Sequence, residues 1–298
     1  MFSLLILGMT MGAGQVNAQS VNPGAANPGA ANPGAANSGA VNAPPELLQI
    51  LTQIDAAANQ GDLSAVMGFY SRAFINSDGL TYATLQEALK RLWEGYPRLT
   101  YVTQVNSWQR DGNAMIAETT TTIATKPPAP PSSQSLVRLP DRLQRQPARP
   151  DTNRVFNLTA TITSRQRFEN QKIVQQEILT EQSQLTSGEQ PPTLTVNLPT
   201  QVRMGQTYSF DAVVMEPLGN RLLLGAALEE PIQASGYLNA TPIELELLSA
   251  GGLFKVGRAP IMSDNRWISA IVVRDDGITT VTRRLRVGTM RSLSNPSR

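Results

Sequence analysis

Near residue 96 the apolar residues of this chain change period, and that change orders what it can fold into. Before it, Leu47, Ile50, Leu51, Ile54, Ala57 and Ala58 recur at helical spacing behind Pro44 and Pro45. Proline suits a first helical turn, so a helix is expected there. Gly61 ends it, and Asp62 can cap a second helix whose apolar face is Leu63, Val66, Met67 and Tyr70. After a turn at Asn76-Ser77-Asp78-Gly79, Thr84 with Glu87 reads as a capping box opening a third helix, with Leu85, Ala88, Leu89 and Leu92 inward. Three amphipathic helices are thus expected over residues 45 to 95.

Beyond that point the period is two. Residues 98 to 109 and 113 to 125 read as strands joined at Asp111-Gly112, a strong hairpin signal. Phe156, Leu158, Ala160 and Ile162 alternate with Asn157, Thr159, Thr161 and Thr163, and a turn at Glu169-Asn170-Gln171 leads to a further strand. Between these hairpins, residues 126 to 153 are rich in proline and arginine, including Arg138, Arg142, Arg145 and Arg149. That run reads as an insertion: a solvated stretch, or a strap for an anionic partner. Residues 186 to 192, Thr-Ser-Gly-Glu-Gln-Pro-Pro, read as a linker. The remaining runs are all strand-like, with Asp276-Gly277 closing a last hairpin, and suggest a β-sandwich. Arg283, Arg284 and Arg286 on the final strand read as a basic edge that guards against mispairing.

The first 43 residues carry other information. Phe2 to Met11 is mostly apolar, and Val16-Asn17-Ala18 before Gln19 has the form of a signal-peptidase site, so export to a periplasm, thylakoid lumen or medium is expected. The apolar run is shorter than the ~20 residues a bilayer span needs. No transmembrane segment is therefore expected after cleavage. Residues 22 to 42 repeat Asn-Pro-Gly-Ala-Ala and decay, which describes a flexible tether.

The 298 residues contain no histidine and no cysteine. This excludes Ser–His–Asp and Cys–His chemistry and the ordinary zinc, haem and iron–sulfur sites. No metal or other cofactor is expected, and the fold has no disulfide to support it. With 25 basic and 23 acidic side chains the formal charge is +2, which gives no signal for nucleic acid. Neither a phosphate-cradling glycine loop nor a calcium loop is present.

Several short motifs lie in the first half: Gln60-Gly61-Asp62, Phe69-Tyr70-Ser71-Arg72-Ala73-Phe74, Asp78-Gly79, and residues 168 to 174, Phe-Glu-Asn-Gln-Lys-Ile-Val. With the order of elements over residues 45 to 185, they resemble the NTF2-like (SnoaL-like, ketosteroid-isomerase-like) superfamily. The resemblance implies an α+β cone, three N-terminal helices and a curved antiparallel sheet around an apolar pocket. Residues 192 to 196, Pro-Thr-Leu-Thr-Val, and 205 to 210, Gly-Gln-Thr-Tyr-Ser-Phe, look like a bacterial Ig-like sandwich. The expected layout is a signal peptide (1–18), a tether (19–43), an NTF2-like domain (44–187) with its insertion (126–153), an all-β Ig-like sandwich (188–290) and a tail (291–298).

Isomerases of that superfamily use an aspartate base beside a tyrosine and a protonated aspartate. This chain departs from the pattern. Its first helix has no tyrosine, and Asp55 is the only acid in mid-helix; Glu118 is the other inward candidate. Tyr70, Trp93, Tyr101 and Trp108 gather near the expected helix–sheet junction, as core or as pocket lining. The expected function is a non-catalytic binding or adaptor module that meets another envelope protein or a small apolar ligand. The alternatives are an isomerase- or cyclase-type enzyme using Asp55 or Glu118 with a tyrosine, and a structural envelope component.

Overall fold

The computed structural model describes residues 42–126, 156–217, 219 and 221–288. The signal sequence, the tether and Arg138, Arg142, Arg145 and Arg149 lie outside the described residues. The chain opens with α1 (Pro45–Asn59), α2 (Leu63–Gly68), β1 (Tyr70–Asn76) and α3 (Tyr82–Gly95). Long strands follow: β2 (Leu99–Asp111), β3 (Ala114–Thr125), β4 (Phe156–Glu169) and β5 (Lys172–Gly188). The second half holds β6 (Leu194–Asn197), β7 (Gln201–Val202), β8 (Thr207–Val214), β9 (Leu224–Pro231), a 3-10 turn at Ala234–Tyr237, β10 (Glu246–Leu247), β11 (Gly252–Arg258), β12 (Arg266–Arg274) and β13 (Gly277–Val287).

One large sheet runs through both halves in the order β10-β9-β12-β13-β5-β4-β3-β2, with β1 and β7 paired alongside. This corrects the expected fold class. The described chain is mostly β, and an α+β cone followed by a separate all-β sandwich does not form. The run read as a linker begins as strand: β5 continues to Gly188, and its residues 182–188 pair antiparallel with β13 residues 277–283. A β-strand stops when its partner stops, and here the second half supplies a new partner.

The expected three-helix layer is corrected too. α2 has six residues, and Tyr70, expected on its apolar face, begins β1, which pairs parallel with β5. Asp62 Oδ1 accepts the Ala65 N–H at 2.9 Å at the α2 start. α3 is capped at Thr81, three residues before the expected position: Thr81 and Thr84 exchange hydrogen bonds between backbone N–H and side-chain hydroxyl. The turn from β4 to β5 places Asn170 and Gln171 at positive φ, as a tight two-residue hairpin requires.

Leu47, Ile50 and Leu51 of α1 and Leu85, Leu89 and Leu92 of α3 bury against one face of the sheet, where Ile123, Leu158, Ile162, Phe168 and Ile178 receive them. Each such burial stabilises by roughly 1.5–3 kcal/mol. In the second half the opposite face is covered instead. A three-stranded sheet, β11-β8-β6, packs Tyr208, Phe210 and Ala212 against Ile268, Ala270, Leu285 and Val287. β13 is therefore an interior strand with β12 and β5 on its flanks, so its arginines do not form a basic edge.

Candidate functional site

A single cross-strand row organises the helix-facing side of the sheet. Thr103, Thr121, Ile162 and Glu181 stand opposite one another on β2, β3, β4 and β5. Arg284 of β13 and Trp267 of β12 continue the row. An interior cavity lies at its β2 end and a buried ionic cluster at its β13 end.

The cavity has a volume of about 50 Å³. Four of the six side chains singled out in the sequence line it: Asp55, Tyr70, Trp93 and Tyr101. Trp93 Nε1 donates to the Tyr101 hydroxyl at 2.7 Å, with the rings edge-on. Burial raises both tyrosine pKa values above the ordinary phenol range. The other wall is polar. Gln166 and Gln176 each donate an amide N–H to Ser164 Oγ, at 3.3 and 3.4 Å, while their carbonyl oxygens have no protein donor.

Asp55 has a structural task. β2 is the last strand of the large sheet, so its outward backbone groups would be unpaired. α1 closes that edge. Asn59 accepts the Tyr101 N–H at 2.6 Å and donates to the Tyr101 carbonyl at 3.2 Å, as a neighbouring strand would. One turn earlier, Asp55 accepts the Thr103 N–H at 2.7 Å and the Thr103 hydroxyl at 2.8 Å. Burial raises the Asp55 pKa, and the two Thr103 hydrogen bonds pull against that rise. Its spacing from Asn59, i and i+4 on one helix face, is the signal in the sequence that marks the pair.

The remaining two candidates lie elsewhere. Glu118 accepts from Arg165 at 2.6 Å on the outer side of the sheet, and Arg165 also meets Glu177. Neither acid of this group lines the cavity. Trp108 Nε1 donates to the Asn42 carbonyl at 2.9 Å and so fastens the start of the described chain onto β2.

At the other end of the row, Arg284 is fully buried and forms a fork onto Asp78, at 2.9 and 2.7 Å. It also reaches Glu181 Oε2, from Nε at 3.2 Å and from Nη2 at 3.0 Å. Trp267 Nε1 donates to the same oxygen at 3.2 Å, and the Tyr237 hydroxyl donates to Asp78. Burial would raise Asp78, but the Arg284 hydrogen bonds and charge, with the Tyr237 hydroxyl, carry its pKa below the usual carboxylate range. This cluster ties the β1–α3 turn and β5 to β12, β13 and the 3-10 turn. The sequence gives no local sign of it, because Asp78 and Arg284 are 206 residues apart.

A groove of about 380 Å³ opens on the helix-facing side where the C-terminal end of α3 meets the sheet. Phe156, Ser187 and Ile278 form one cross-strand row of its floor, and Leu185 with Thr280 forms the next. Tyr96 closes one wall, and its hydroxyl pKa is pushed up to about 12 by burial. The Ser187 hydroxyl is buried with no hydrogen-bond partner. The sequence reading missed this groove, because its floor is built across the run taken for a linker.

A family model described as a domain of unknown function (DUF8623) matches residues 189–288. No curated protein sequence matches the chain. Among solved structures, the chain resembles Bd1075 of Bdellovibrio bacteriovorus at 14% identity and a TM-score of 0.28, over 45% of this chain and 38% of that one. AclR of Streptomyces galilaeus is similar at 15% identity and a TM-score of 0.29, over 45% and 86% of the two chains. An LEH-like epoxide hydrolase of M. tuberculosis is similar at 12% identity and a TM-score of 0.27, over 45% and 80%. The chain thus spans well under two thirds of the Bdellovibrio protein. No helix among the described residues is long and apolar enough to cross a membrane.

Proposed function

We propose that this protein is an exported, non-catalytic binding module whose seat is the groove beside α3, and that it takes a small apolar ligand carrying one hydrogen-bonding atom. The observation that carries the reading is the groove itself. Its volume, about 380 Å³, lies within the range of small-molecule sites, roughly 300–1,000 Å³. Phe156, Leu185, Ile278 and Tyr96 give it apolar surface, Arg91, Glu94, Thr186 and Thr280 also line it, and the unpartnered Ser187 hydroxyl is the buried polar group free to fix a ligand's orientation. Export rests on the leader-like start of the sequence and awaits its own test.

The enzyme reading draws on the interior cavity, where a carboxyl group of raised pKa lies near two tyrosines. Size argues against it. A cavity of about 150 Å³ is what benzene occupies, and this one is about 50 Å³. Both Asp55 oxygens are also engaged by Thr103. The experiment is binding of anilinonaphthalene sulfonate, followed by fluorescence, to the chain starting at Gln19. Wild type, Asp55→Asn and Glu118→Gln are expected to bind alike, and Leu185→Trp, which fills the groove, to lose binding at least tenfold. Full binding by Leu185→Trp would overturn the reading.

A further inference from the structure

Arg283 precedes the buried Arg284 on β13 and faces the other side of the sheet. Across the ladder it stands beside Gln182 and Thr161. With Thr180 and with Thr200 from the β6–β7 connection, these residues line a recess of about 220 Å³.

Among the described residues, every other partly or fully buried arginine meets a carboxylate. Arg91 pairs with Glu87, Arg167 with Asp111, Arg266 with Asp264, Arg274 with Asp276, Arg284 with Asp78 and Arg286 with Glu177. Arg283 makes one long hydrogen bond, from Nη1 to the carbonyl of its neighbour Thr282 at 3.4 Å. A guanidinium has five N–H donors, and those of Arg283 are left almost entirely unused. Burial alone holds its pKa below the usual arginine value. Glu181 borders the recess, but its carboxylate is held on the far side by Arg284 and Trp267. The side chains of Thr161, Thr180, Gln182 and Thr200 bond to no other protein group among the described residues.

We propose that this recess is an oxyanion site for a small hydroxyl-rich molecule such as an acidic sugar. Arg283 offers a fork of parallel N–H groups to a carboxylate or sulfate, the geometry in which arginine binds such groups best. The threonine hydroxyls and the Gln182 amide then bond to the ligand's hydroxyl groups. The site lies on the opposite side of the sheet from the groove and does not depend on the groove's function.

The test is an NMR titration of the chain starting at Gln19 with sodium glucuronate, glucose, sodium sulfate and sodium chloride at matched ionic strength. Glucuronate is expected to give saturable shifts at the amides of residues 161, 180, 182 and 283. Sulfate should act at the same amides more weakly, and glucose and chloride should have no saturable effect. Arg283→Gln should abolish saturation without lowering the melting temperature, because it removes a desolvated cation that has no partner. Arg283→Lys should weaken glucuronate at least fivefold. If Arg283→Gln does not fold, Thr161→Val and Thr180→Val replace it, each weakening glucuronate several-fold and sulfate hardly at all. Equal shifts with chloride, or unchanged binding by Arg283→Gln, would overturn the site. Sulfate as tight as glucuronate would overturn the sugar part and leave the oxyanion seat.

Discussion

Replacing Arg284 by methionine isolates the energetics of the buried cluster. The side chain of Arg284 is wholly buried, and those of Asp78 and Glu181 are 1% and 4% exposed. The cluster holds one positive and two negative charges, and the substitution removes the guanidinium that both carboxylates meet. Breaking a buried pair from one side costs about 3–5 kcal/mol, against a total stability of about 5–15 kcal/mol for a typical protein. Urea unfolding at pH 7 should therefore show a midpoint lowered by about a fifth or more with an unchanged slope. The pH dependence has a definite sign. In the native protein the Asp78 pKa is depressed, so its contribution is present above the ordinary carboxylate value and is lost as pH falls through the folded one. Without Arg284, burial dominates and the Asp78 pKa is raised. The deficit is then largest at neutral pH and shrinks as the solution is acidified and the carboxyl takes up a proton. Combining Arg284→Met with Asp78→Asn and Glu181→Gln should recover most of the loss, because no buried charge remains. A loss below about 1 kcal/mol, or a deficit that grows on acidification, would refute the argument.

Asp55→Asn should change stability by less than about 1 kcal/mol, since an amide can still accept from the Thr103 N–H, whereas Asp55→Ala should cost about 1–3 kcal/mol by denaturant melts. The Asp55 pKa is raised on folding, so its contribution is greatest below the ordinary carboxylate value and is lost as pH rises through the folded one; an NMR titration placing its pKa at or below that value would contradict this. Gly188→Ala should destabilise by at least about 1–3 kcal/mol, because Gly188 has φ +109° and a Cβ there would stand 2.4 Å from the Asp276 carbonyl oxygen. Mass spectrometry of the protein recovered from its own cells should find Gln19 at the N-terminus, and Met1 retained on cytosolic protein would end the export proposal.

What was legible in the sequence was what neighbouring residues decide. The alternation from Phe156 to Thr163 marks β4, because a strand with one buried face must alternate. Glycine at Gly112 and Gly277 marks hairpins for the same local reason. What stayed hidden depends on distant partners. Tyr70-Ser71-Arg72-Ala73-Phe74 can be read with either period, and β5 decides for strand by offering a parallel edge. Residues 186 to 192 have a linker's composition, yet β13 converts their first part into ladder. Four cavity residues were named in advance because aromatics and an isolated helix acid stand out in any sequence. Gln166, Gln176 and Ser187 were not, because an unpaired buried polar atom is a property of the packed interior alone.

The β5–β13 ladder has a consequence for other proteins that match the family model which matches residues 189–288 of this chain. That boundary falls just after the strand which covers one flank of β13. Excised at residue 189, the domain would present a bare run of backbone donors and acceptors along β13, a template for association with any free strand. A protein with this domain and no equivalent of β5 would have to cover the same flank by other means, with a strand from elsewhere in its own chain or from a second molecule.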